Sequence, residues 1–503
     1  MSQINTNVGS LLAQRVLAQQ NRSMSQTLER LSTGLAINRG ADNPAGLIAS
    51  EKLRSEKAAL DAAIGNAERA DQVVNIAEGG LQEVNNMLTE LQGLVTETAN
   101  ESGLSREERE ANQLQIDSIL QTIDRIASTT SFQGSKLLNG AFDFTASGVS
   151  EQVRDHSINS AKLTHGEHRE VDVLITGSAQ HGTLFLSAGG PSLDLDGPDS
   201  QFTFDIGGVL GSRQFTFASG TSLENISQQV NSFSSVTGVS AAASGDHVIF
   251  KAMELGSDDF VSFKVNDDGG QAGAILNAQA TDENAIDAAT ARELDTLNAS
   301  AEVVRDRGED VDAVINGMAA TSRGAQVSIN TDTLDLSLTL TREGAQQLQD
   351  FRAMSITGGG ARFNLGPRVD IQNQVSIGIG DVAVRNLGSR ELGGFLADLG
   401  AGRGANVVDG DRELAQRIVD KAIDQVSALR GRLGAFQRNT IGTTIRALGV
   451  AVENTSAAES SIRDTDFAAE TAELTRSQIM AQAATNSLAL ANNQPQAVLS
   501  LLG

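Results

Sequence analysis

The sequence lacks three residue types altogether and is poor in a fourth. Its 503 residues contain no Cys, no Trp and no Tyr, and only five Pro. Without cysteine there is no disulfide framework, no thiolate zinc site, no iron–sulfur cluster and no thiol nucleophile. Without Trp and Tyr, only the 17 Phe side chains could stack on bases or sugars. These absences exclude several classes of metalloprotein and thiol enzyme.

Basic residues are also in deficit. The chain has 38 Lys and Arg against 63 Asp and Glu, which gives a formal net charge of −25. Because a field of that sign repels phosphates, we expect no nucleic-acid ligand. No run of about 18 apolar residues occurs, so we expect no membrane insertion. The first nine residues have neither a basic segment nor an apolar one, which predicts that there is no Sec-type signal peptide to cleave.

A heptad pattern dominates the N-terminal part of the chain. Every seventh position from Leu53 to Val95 is apolar, and a second apolar residue follows most of these three positions later. This pattern is typical of a helix that packs along a seam, as in a coiled coil. The seam positions are Leu53, Leu60, Ala67, Val74, Leu81, Leu88 and Val95. We expect an earlier helix to end near Gly34–Gly40 and a later one to begin at the capping box of Ser105.

The C-terminal part carries a matching pattern. Apolar residues recur at spacings of four and three from Ala415 to Phe436, and the pattern resumes at Ile441 after a phase slip of one residue. Its main seam positions are Val419, Val426, Leu429, Leu433 and Phe436. Since neither end of the chain can bury its seam alone, we expect the two ends to pair as a long antiparallel coiled coil or bundle.

The middle segment, about 141–405, is built differently. It holds 14 of the 17 Phe residues and most of the net negative charge. Alternating apolar residues, such as Phe202, Phe204 and Ile206, predict strands, and short amphipathic stretches predict helices between them. The predicted fold class is therefore mainly α at both termini, with a central α+β insert of one or two subdomains.

Two kinds of short motif could be taken for metal sites. The run at 165–168 (HGEH) has the wrong order and spacing for the zinc motif His-Glu-x-x-His, so a solvated turn is the better interpretation. Asp-rich runs at 194–199 and 267–270 could bind calcium weakly, but acidic turns are favoured because neither has the downstream Glu of an EF-hand. We assign no catalytic, cofactor-binding or metal-binding residue and expect no enzyme.

Several runs of residues resemble bacterial flagellin, the subunit of the flagellar filament. In the N-terminal part they are 31–38 (LSTGLAIN), 42–47 (DNPAGL) and 132–140 (FQGSKLLNG). In the C-terminal part they are 453–468 (ENTSAAESSIRDTDFA) and 488–502 (LALANNQPQAVLSLL). Inside the insert, 213–223 (RQFTFASGTSL) and 236–241 (VTGVSA) look like a motif that flagellin shares with hook-associated proteins.

The resemblance implies a structural protein that polymerises with many copies of itself for motility. In the family, both chain ends are disordered in the monomer and fold on joining the filament. The outermost helices then line an inner tube, heptad-bearing helices form the next layer, and the insert faces solvent. Implied partners are the flagellar export apparatus and its chaperone, the filament cap and the hook-associated junction proteins. The implied location is the extracellular filament, reached by export of the unfolded chain without a cleaved signal peptide.

On this basis we expect five segments along the chain. They are an N-terminal inner-tube helix (1–45), an N-terminal helical stalk (46–140), the variable insert (141–405, in subdomains of about 141–280 and 281–405), a C-terminal helical stalk (406–455) and a C-terminal inner-tube helix (456–503).

The resemblance also implies a patch that an animal innate receptor grips on other flagellins. Its places fall here on Glu90, Leu94 and Gln115. The family's Arg has become Glu90 and its Glu has become Gln115, whereas the Leu is kept. A reversed charge at the centre of an interface costs several kcal/mol, so we expect weak or absent receptor activation.

Two other functions stay open at this point. A hook–filament junction protein would share the helical ends but assemble as a ring of few copies, against which the flagellin-like C-terminal tail argues. A flagellin whose insert is adhesive or enzymatic would share the polymer and add a binding activity.

Overall fold

The computed structural model describes residues 6–100, 103–163, 167–197, 199–277, 291–297, 302–390 and 392–502. Helices occupy both ends of the chain and strands fill the middle, as the sequence predicts. The chain divides into two compact units, each described by itself below. The first unit comprises Met1–Val74, Phe363–Gln374 and Leu433–Gly503; the second comprises Asn75–Arg362 and Val375–Arg432.

The α-helices of the described residues are long at the termini and short in the insert. They are α1 (Val8–Thr33), α2 (Pro44–Thr98), α3 (Arg106–Thr129), α4 (Leu223–Asn231), α5 (Ser234–Thr237), α6 (Arg342–Gln346), α7 (Arg412–Ala435), α8 (Gly442–Arg463) and α9 (Phe467–Leu502). A π-helical segment, Phe436–Ile441, joins α7 to α8, and a 3₁₀ turn covers Leu396–Leu399. None of the helices in the described ranges is long and apolar enough to span a membrane.

The predicted helix ends are confirmed. Helix α1 ends before Gly34, whose φ of 73° is the left-handed conformation that glycine adopts without a Cβ penalty. Helix α3 begins after Ser105, whose hydroxyl accepts from the Glu108 backbone N–H while the Glu108 carboxylate accepts from the Ser105 N–H. Local sequence was sufficient to set these boundaries because capping uses residues within four positions of the helix end.

The strands are mostly short and antiparallel. They are β1 (Ser131–Phe132), β2 (Ser135–Lys136), β3 (Phe144–Ser147), β4 (Val153–Ala161), β5 (Arg169–Gly177), β6 (Thr183–Ser187), β7 (Gln201–Gly207), β8 (Ser212–Ala218), β9 (Val239–Ser244), β10 (His247–Ala252), β11 (Phe260–Asp267), β12 (Ala274–Asn277), β13 (Arg292–Thr296), β14 (Val304–Arg307), β15 (Asp312–Ile315), β16 (Met318–Ala319), β17 (Thr321–Arg323), β18 (Gln326–Asn330), β19 (Leu334–Leu340), β20 (Asp350–Gly359), β21 (Ala361–Asn364), β22 (Gln374–Ile377), β23 (Gly388–Ser389) and β24 (Gly394–Phe395).

Within the second unit, the insert forms two sandwiches that are nested in the chain. The first sandwich has the sheets β16-β15-β5-β20-β3 and β17-β18-β19-β4, whose buried residues share one core. The nested sandwich has the sheets β13-β12-β6-β10-β9 and β14-β11-β7-β8, with α4 packed on its core. Gln180 and Glu309 exchange backbone hydrogen bonds of 2.9 and 3.0 Å where the chain passes between the sandwiches.

This nesting differs from the two consecutive subdomains, divided near residue 280, that the sequence analysis expects. The first sandwich draws strands from both sides of the nested one; β4 pairs with β19, for example, and β5 pairs with β20. Alternation identifies a strand, but it carries no information about a partner more than 150 residues away. The order of subdomains therefore had to come from the pairing.

The nested sandwich has a core rich in Phe. Phe202 and Phe204 on β7 face Phe217 and Phe215 on β8, and all four rings are at least nine-tenths buried. The Phe204 ring lies 4.8 Å from the Phe263 ring, centroid to centroid. The period-two alternation that predicts these strands thus places every ring on the buried side of its sheet.

Two adjacent glycines in α2 have different surroundings. A Cβ on Gly80 would lie 2.8 Å from both Leu138 Cδ1 and Thr130 Oγ1, whereas a Cβ on Gly79 would meet nothing within 4 Å. A Cβ at Gly80 would therefore force side chains of the segment that follows α3 to shift, whereas a Cβ at Gly79 would not. Glycine in a helix costs about 1 kcal/mol relative to alanine.

We expect Gly79→Ala to raise the free energy of unfolding by about 0.5–1 kcal/mol, because it gains helix propensity without a clash. Gly80→Ala gains the same propensity, but overpacking costs roughly 1–3 kcal/mol, so it should be less stable than Gly79→Ala by about that amount. Denaturant unfolding followed by circular dichroism compares the two variants directly. Equal stability of the two would contradict the packing described here.

Candidate assembly surfaces

In the first unit, α1 and α9 run antiparallel. Asn7 Nδ2 donates to the Ala491 carbonyl at 2.7 Å near one end of the pair. Near the other end, an Arg30 guanidinium nitrogen lies 3.7 Å from a Glu470 carboxylate oxygen. The turn after α1 is tied to the same partner, because Thr465 N donates to the Gly34 carbonyl at 3.0 Å. The two ends of the chain therefore pair with each other, as expected.

Among the side chains that the structure describes on α1 and on α9 up to residue 493, few are buried, and those are small. The buried ones are Ser10, Ala13, Thr27, Ser477 and Ala484. Large apolar side chains on the same helices stay exposed: Val8, Leu11, Leu12, Val16, Leu28, Phe467, Ile479, Met480 and Leu490. Ile479 is 63% exposed and Leu11 is 58% exposed. Helices this poorly buried gain little from tertiary packing, and the described part of the chain does not cover the apolar side chains that they expose.

The heptad seam is buried along almost its whole length. Leu60, Val74, Leu81, Leu88 and Val95 are each 5% exposed or less. Leu53, at the start of the seam, is half-buried. The intervening positions Ala63, Ala67, Ala70, Ala77, Val84 and Leu91 are buried as well.

The C-terminal seam behaves in the same way. Val419, Val426 and Leu433 are fully buried, Leu429 is 7% exposed, and Phe436 is half-buried. The predicted seam residues therefore mark the buried faces of their helices.

Within the second unit, α2 and α7 run antiparallel, with polar contacts along the edges of the seam. Gln92 Nε2 donates to Asp420 Oδ1 at 2.7 Å, and Arg430 Nε donates to Glu78 Oε1 at 2.9 Å. The residue number on α2 falls from Gln92 to Glu78 while the number of its partner on α7 rises from Asp420 to Arg430. The two helices are therefore antiparallel. These edge contacts fix the register between the two helices.

In the first unit, the other part of α2 pairs antiparallel with α8. Leu60, Ala63 and Leu448 form a buried cluster there, and Lys57 Nζ donates to Ser456 Oγ at 3.3 Å. The phase slip read from the sequence falls on the π-helical segment Phe436–Ile441. A π turn contains one residue more than an α turn, so it returns the apolar positions to one face. This explains why the pattern resumes at Ile441.

The sequence analysis did not predict one segment of the first unit. Phe363–Gln374, assigned from the sequence to the insert, belongs to the first unit. The Phe363 ring lies 6.3 Å from the Phe436 ring, centroid to centroid. Both rings are visible in the sequence, but nothing in the sequence pairs two Phe residues that are 73 positions apart.

The receptor-patch positions are not equally accessible. Glu90 and Gln115 are exposed, on α2 and α3 respectively, whereas Leu94 is only 9% exposed. The one position at which the family's residue is kept is thus the one that a partner could reach least.

No metal site emerges from the motifs considered in the sequence. Among the residues that the structure describes, no group of three or more His, Asp or Glu side chains is placed to hold a metal. Residues 165 and 166 of the HGEH run lie outside the described residues, and His168 is exposed. The two Asp-rich runs do meet, since Asp196 N donates to the Gly269 carbonyl at 3.1 Å; residue 198 of the first run lies outside the described residues.

A cavity of about 770 Å³ lies in the second unit between the first sandwich and α7. Asp143 and Arg432 line it; burial raises the pKa of the Asp143 carboxyl and lowers the pKa of the Arg432 guanidinium. Arg432 donates to Asn159 and, at 3.3 Å, to the Gly378 carbonyl. These bonds join the helix to the insert, and we assign the cavity no reaction.

Family models match both helical ends and one part of the insert. The bacterial flagellin N-terminal helical region matches residues 4–143, the C-terminal helical region matches 416–502, and the flagellin hook IN motif matches 202–259. Together these matches cover more than half of the chain. The chain belongs to the bacterial flagellin family.

Curated flagellins are similar to this one over 99% of its length and 99% of theirs. Flagellin A of Helicobacter pylori is 28% identical, Flagellin D of Vibrio cholerae is 29% identical, and the B-type flagellin of Pseudomonas aeruginosa is 29% identical.

A solved structure of flagellar hook-associated protein-3 from Legionella pneumophila is 11% identical, covering 82% of this chain and 98% of that one, with a TM-score of 0.29. Scores this low do not establish a common overall fold, so the family assignment rests on the sequence matches.

We expect Leu88→Ala to lower the free energy of unfolding of this flagellin by about 2–5 kcal/mol, because the side chain is fully buried in the seam. Leu114→Ala is the matched control: Leu114 on α3 is 70% exposed, so its removal should change stability by less than about 0.5 kcal/mol. Denaturant unfolding of the two variants is the measurement. A Leu88 variant as stable as the control would show that the seam does not hold this unit together.

Proposed function

We propose that this flagellin polymerises through the apolar face that α1 and α9 leave exposed. The chain is a structural subunit of the bacterial flagellar filament and not an enzyme. The observation that supports the proposed route of assembly is the exposure of nine large apolar side chains on two helices whose buried side chains, among those that the structure describes, are all small. Burying one Leu or Ile side chain contributes about 1.5–3 kcal/mol, so copies that cover this face stabilise one another.

Folding of these helices is coupled to assembly. Isolated helices are marginal in water, and the α1–α9 pair has little apolar burial with which to offset its conformational entropy. Contacts with neighbouring copies supply the missing burial and shift the equilibrium toward the folded helices. A head-to-tail contact that does not close on itself then generates a helical polymer.

The remaining organisation follows the five segments expected from the sequence, except that Phe363–Gln374 belongs to the first unit and the two subdomains of the insert are nested. The heptad seam of α2 forms a coiled coil with α7 and α8 in a layer around the inner helices, and Leu53 and Phe436, half-buried in the single chain, become covered in the polymer. The burial of the other seam residues supports this arrangement. The insert faces solvent, where most of its surface is negatively charged and repels other copies of the chain.

The filament lies outside the cell, and family membership supports the route there. We propose that the chain leaves through the flagellar export apparatus without a cleaved signal peptide, with a chaperone that covers its apolar ends. Assembly beneath a filament cap, on hook-associated junction proteins, follows from the same membership.

The two alternative functions are not favoured. Relatives that match over their full length are named flagellin, which argues against a junction protein. An adhesive or enzymatic insert has no specific observation in its support, since the described part of the insert holds no metal cluster and its cavity has no assigned reaction.

Changing Ile479→Asp should abolish seeded polymerisation, because it places a charge in the face that assembly buries. Leu174→Asp is the matched control: Leu174 is 43% exposed on β5 of the insert, and its variant should polymerise like the unchanged chain. A chain without residues 1–40 should stay monomeric. Electron microscopy and sedimentation score all three, and long filaments from the Ile479 variant would refute the proposed surface.

We also propose that this flagellin is a poor agonist of the animal innate receptor. Glu90 reverses a charge, Gln115 removes one, and the burial of Leu94 withdraws an apolar contact. The two differences, and the burial of the Leu that is kept, act against the recognition that the family resemblance implies.

Receptor-reporter cells treated with purified monomer should respond weakly to the unchanged chain. Glu90→Arg combined with Gln115→Glu should raise the response by an order of magnitude or more. Each restored charge can pair with an opposite charge on the receptor, and such a pair at an interface contributes at least about 1.4 kcal/mol. Strong signalling from the unchanged chain would refute the proposal.

A further inference from the structure

Four large apolar side chains lie exposed at one end of the nested sandwich. Val209 (53% exposed) and Leu210 (63%) form the tip of the turn between β7 and β8. Val236 (49%) lies in α5, and Met253 (45%) follows β10. We call these four residues the tip patch.

The tip patch is contiguous, although its members come from three segments. A Cβ built on Gly238 would lie 3.4 Å from Leu210 and 3.5 Å from Val209. Met253 N donates to the Gly238 carbonyl at 3.0 Å, and a Cβ on Gly211 would lie 3.1 Å from the Val236 carbonyl oxygen. Gly238 is thus at the centre of the patch.

The turn that carries Val209 and Leu210 is held firmly. Gly208 N donates to the Gly211 carbonyl at 2.9 Å, and the Gly208 backbone lies so close to Thr237 that a Cβ would be 2.4 Å from its carbonyl oxygen. A preorganised apolar surface loses little entropy when a partner covers it.

Charge is absent from the segments that form most of the patch. Residues 207–212 and 232–240 contain no Asp, Glu, Lys or Arg, within an insert that carries most of the net charge of −25. Acidic copies of this chain repel one another over most of their surface, so the tip patch is where two of them can approach with the least repulsion.

We propose that the tip patch binds the tip patch of a second copy of this chain in a parallel, neighbouring filament. The inference rests on the proposed function, because it needs the filament. The patch consists of only four side chains, which is far fewer than the roughly 20–30 residues per partner of a standard stable interface of about 1,200–2,000 Å². A soluble dimer is therefore not expected, but the contact recurs along two filaments and its repeats reinforce one another.

Symmetry selects a neighbouring filament as the partner. Copies within one filament are related by a screw operation, which brings different surfaces together. A patch that meets itself requires a two-fold axis. Such an axis, parallel to the filament axes, relates two filaments that lie side by side and point the same way.

The first test compares Leu210→Asp with Leu348→Asp, a control at a residue that is 54% exposed elsewhere on the insert. At about 1 M salt, where the screening length is about 3 Å, unchanged filaments should bundle. The Leu210 variant should give single filaments of normal length, and the control should bundle like the unchanged chain. Electron microscopy and low-speed pelleting measure this.

The second test exploits the absence of native cysteine. Leu210→Cys introduces a unique thiol, and a short bismaleimide should join two chains in bundled filaments but not in dispersed filaments or in monomer. Leu348→Cys should give no such dimer under any of these conditions.

Each outcome decides the inference. Bundling that survives Leu210→Asp, absence of bundling by the unchanged chain, or Leu210→Cys dimers in dispersed filaments would overturn it while leaving the proposed function intact. Failure of the unchanged chain to form filaments would instead refute the proposed function, and this inference with it.

Discussion

The structure depends on the burial of apolar seams between segments from opposite ends of the chain. Helix α2 offers one apolar stripe, and α7 and α8 offer the stripes that cover it, from more than 300 residues further along the sequence. Seam residues such as Leu88 and Val426 are completely buried, while Gln92 with Asp420 and Glu78 with Arg430 fix the register. A long insertion between the two ends is tolerated because loop-closure entropy grows only slowly with loop length.

Burial of apolar side chains also explains why α1 and α9 differ from α2, α7 and α8. Helices α1 and α9 also pair, but they bury Ser10, Ala13 and Ala484 and leave Leu11 and Ile479 exposed. A protein of this size that stays monomeric would be more stable if the large apolar side chains were buried and the small ones exposed. In the assembly that we propose, a subunit gains by keeping these side chains exposed, because they become an interface and the marginal stability of the unpolymerised helices links folding to assembly.

Most of the helical architecture could be predicted because its signals are local or periodic. The helix caps at Gly34 and Ser105 depend on residues within one turn. A heptad pattern shows which face of a helix is buried, even when the partner helix is far away in the sequence. Even the π-helical segment at Phe436–Ile441 left a trace, as a slip of one residue in the apolar pattern. Composition and spacing also limited which metal sites the insert could have. The chain has no cysteine, and the two His residues of the HGEH run do not have the spacing of a zinc motif.

The sequence by itself determined the helices and their buried faces, the strands of the insert and the family. Only the tertiary structure decided which strands pair, that one sandwich is nested inside the other, that Phe363–Gln374 joins the helical unit, and that Leu94 is covered. The physical reason is the range of the interactions. Capping and periodicity act within a few turns, whereas strand pairing, the meeting of Phe363 with Phe436 and the clustering of Val209, Val236 and Met253 join residues that have no common pattern.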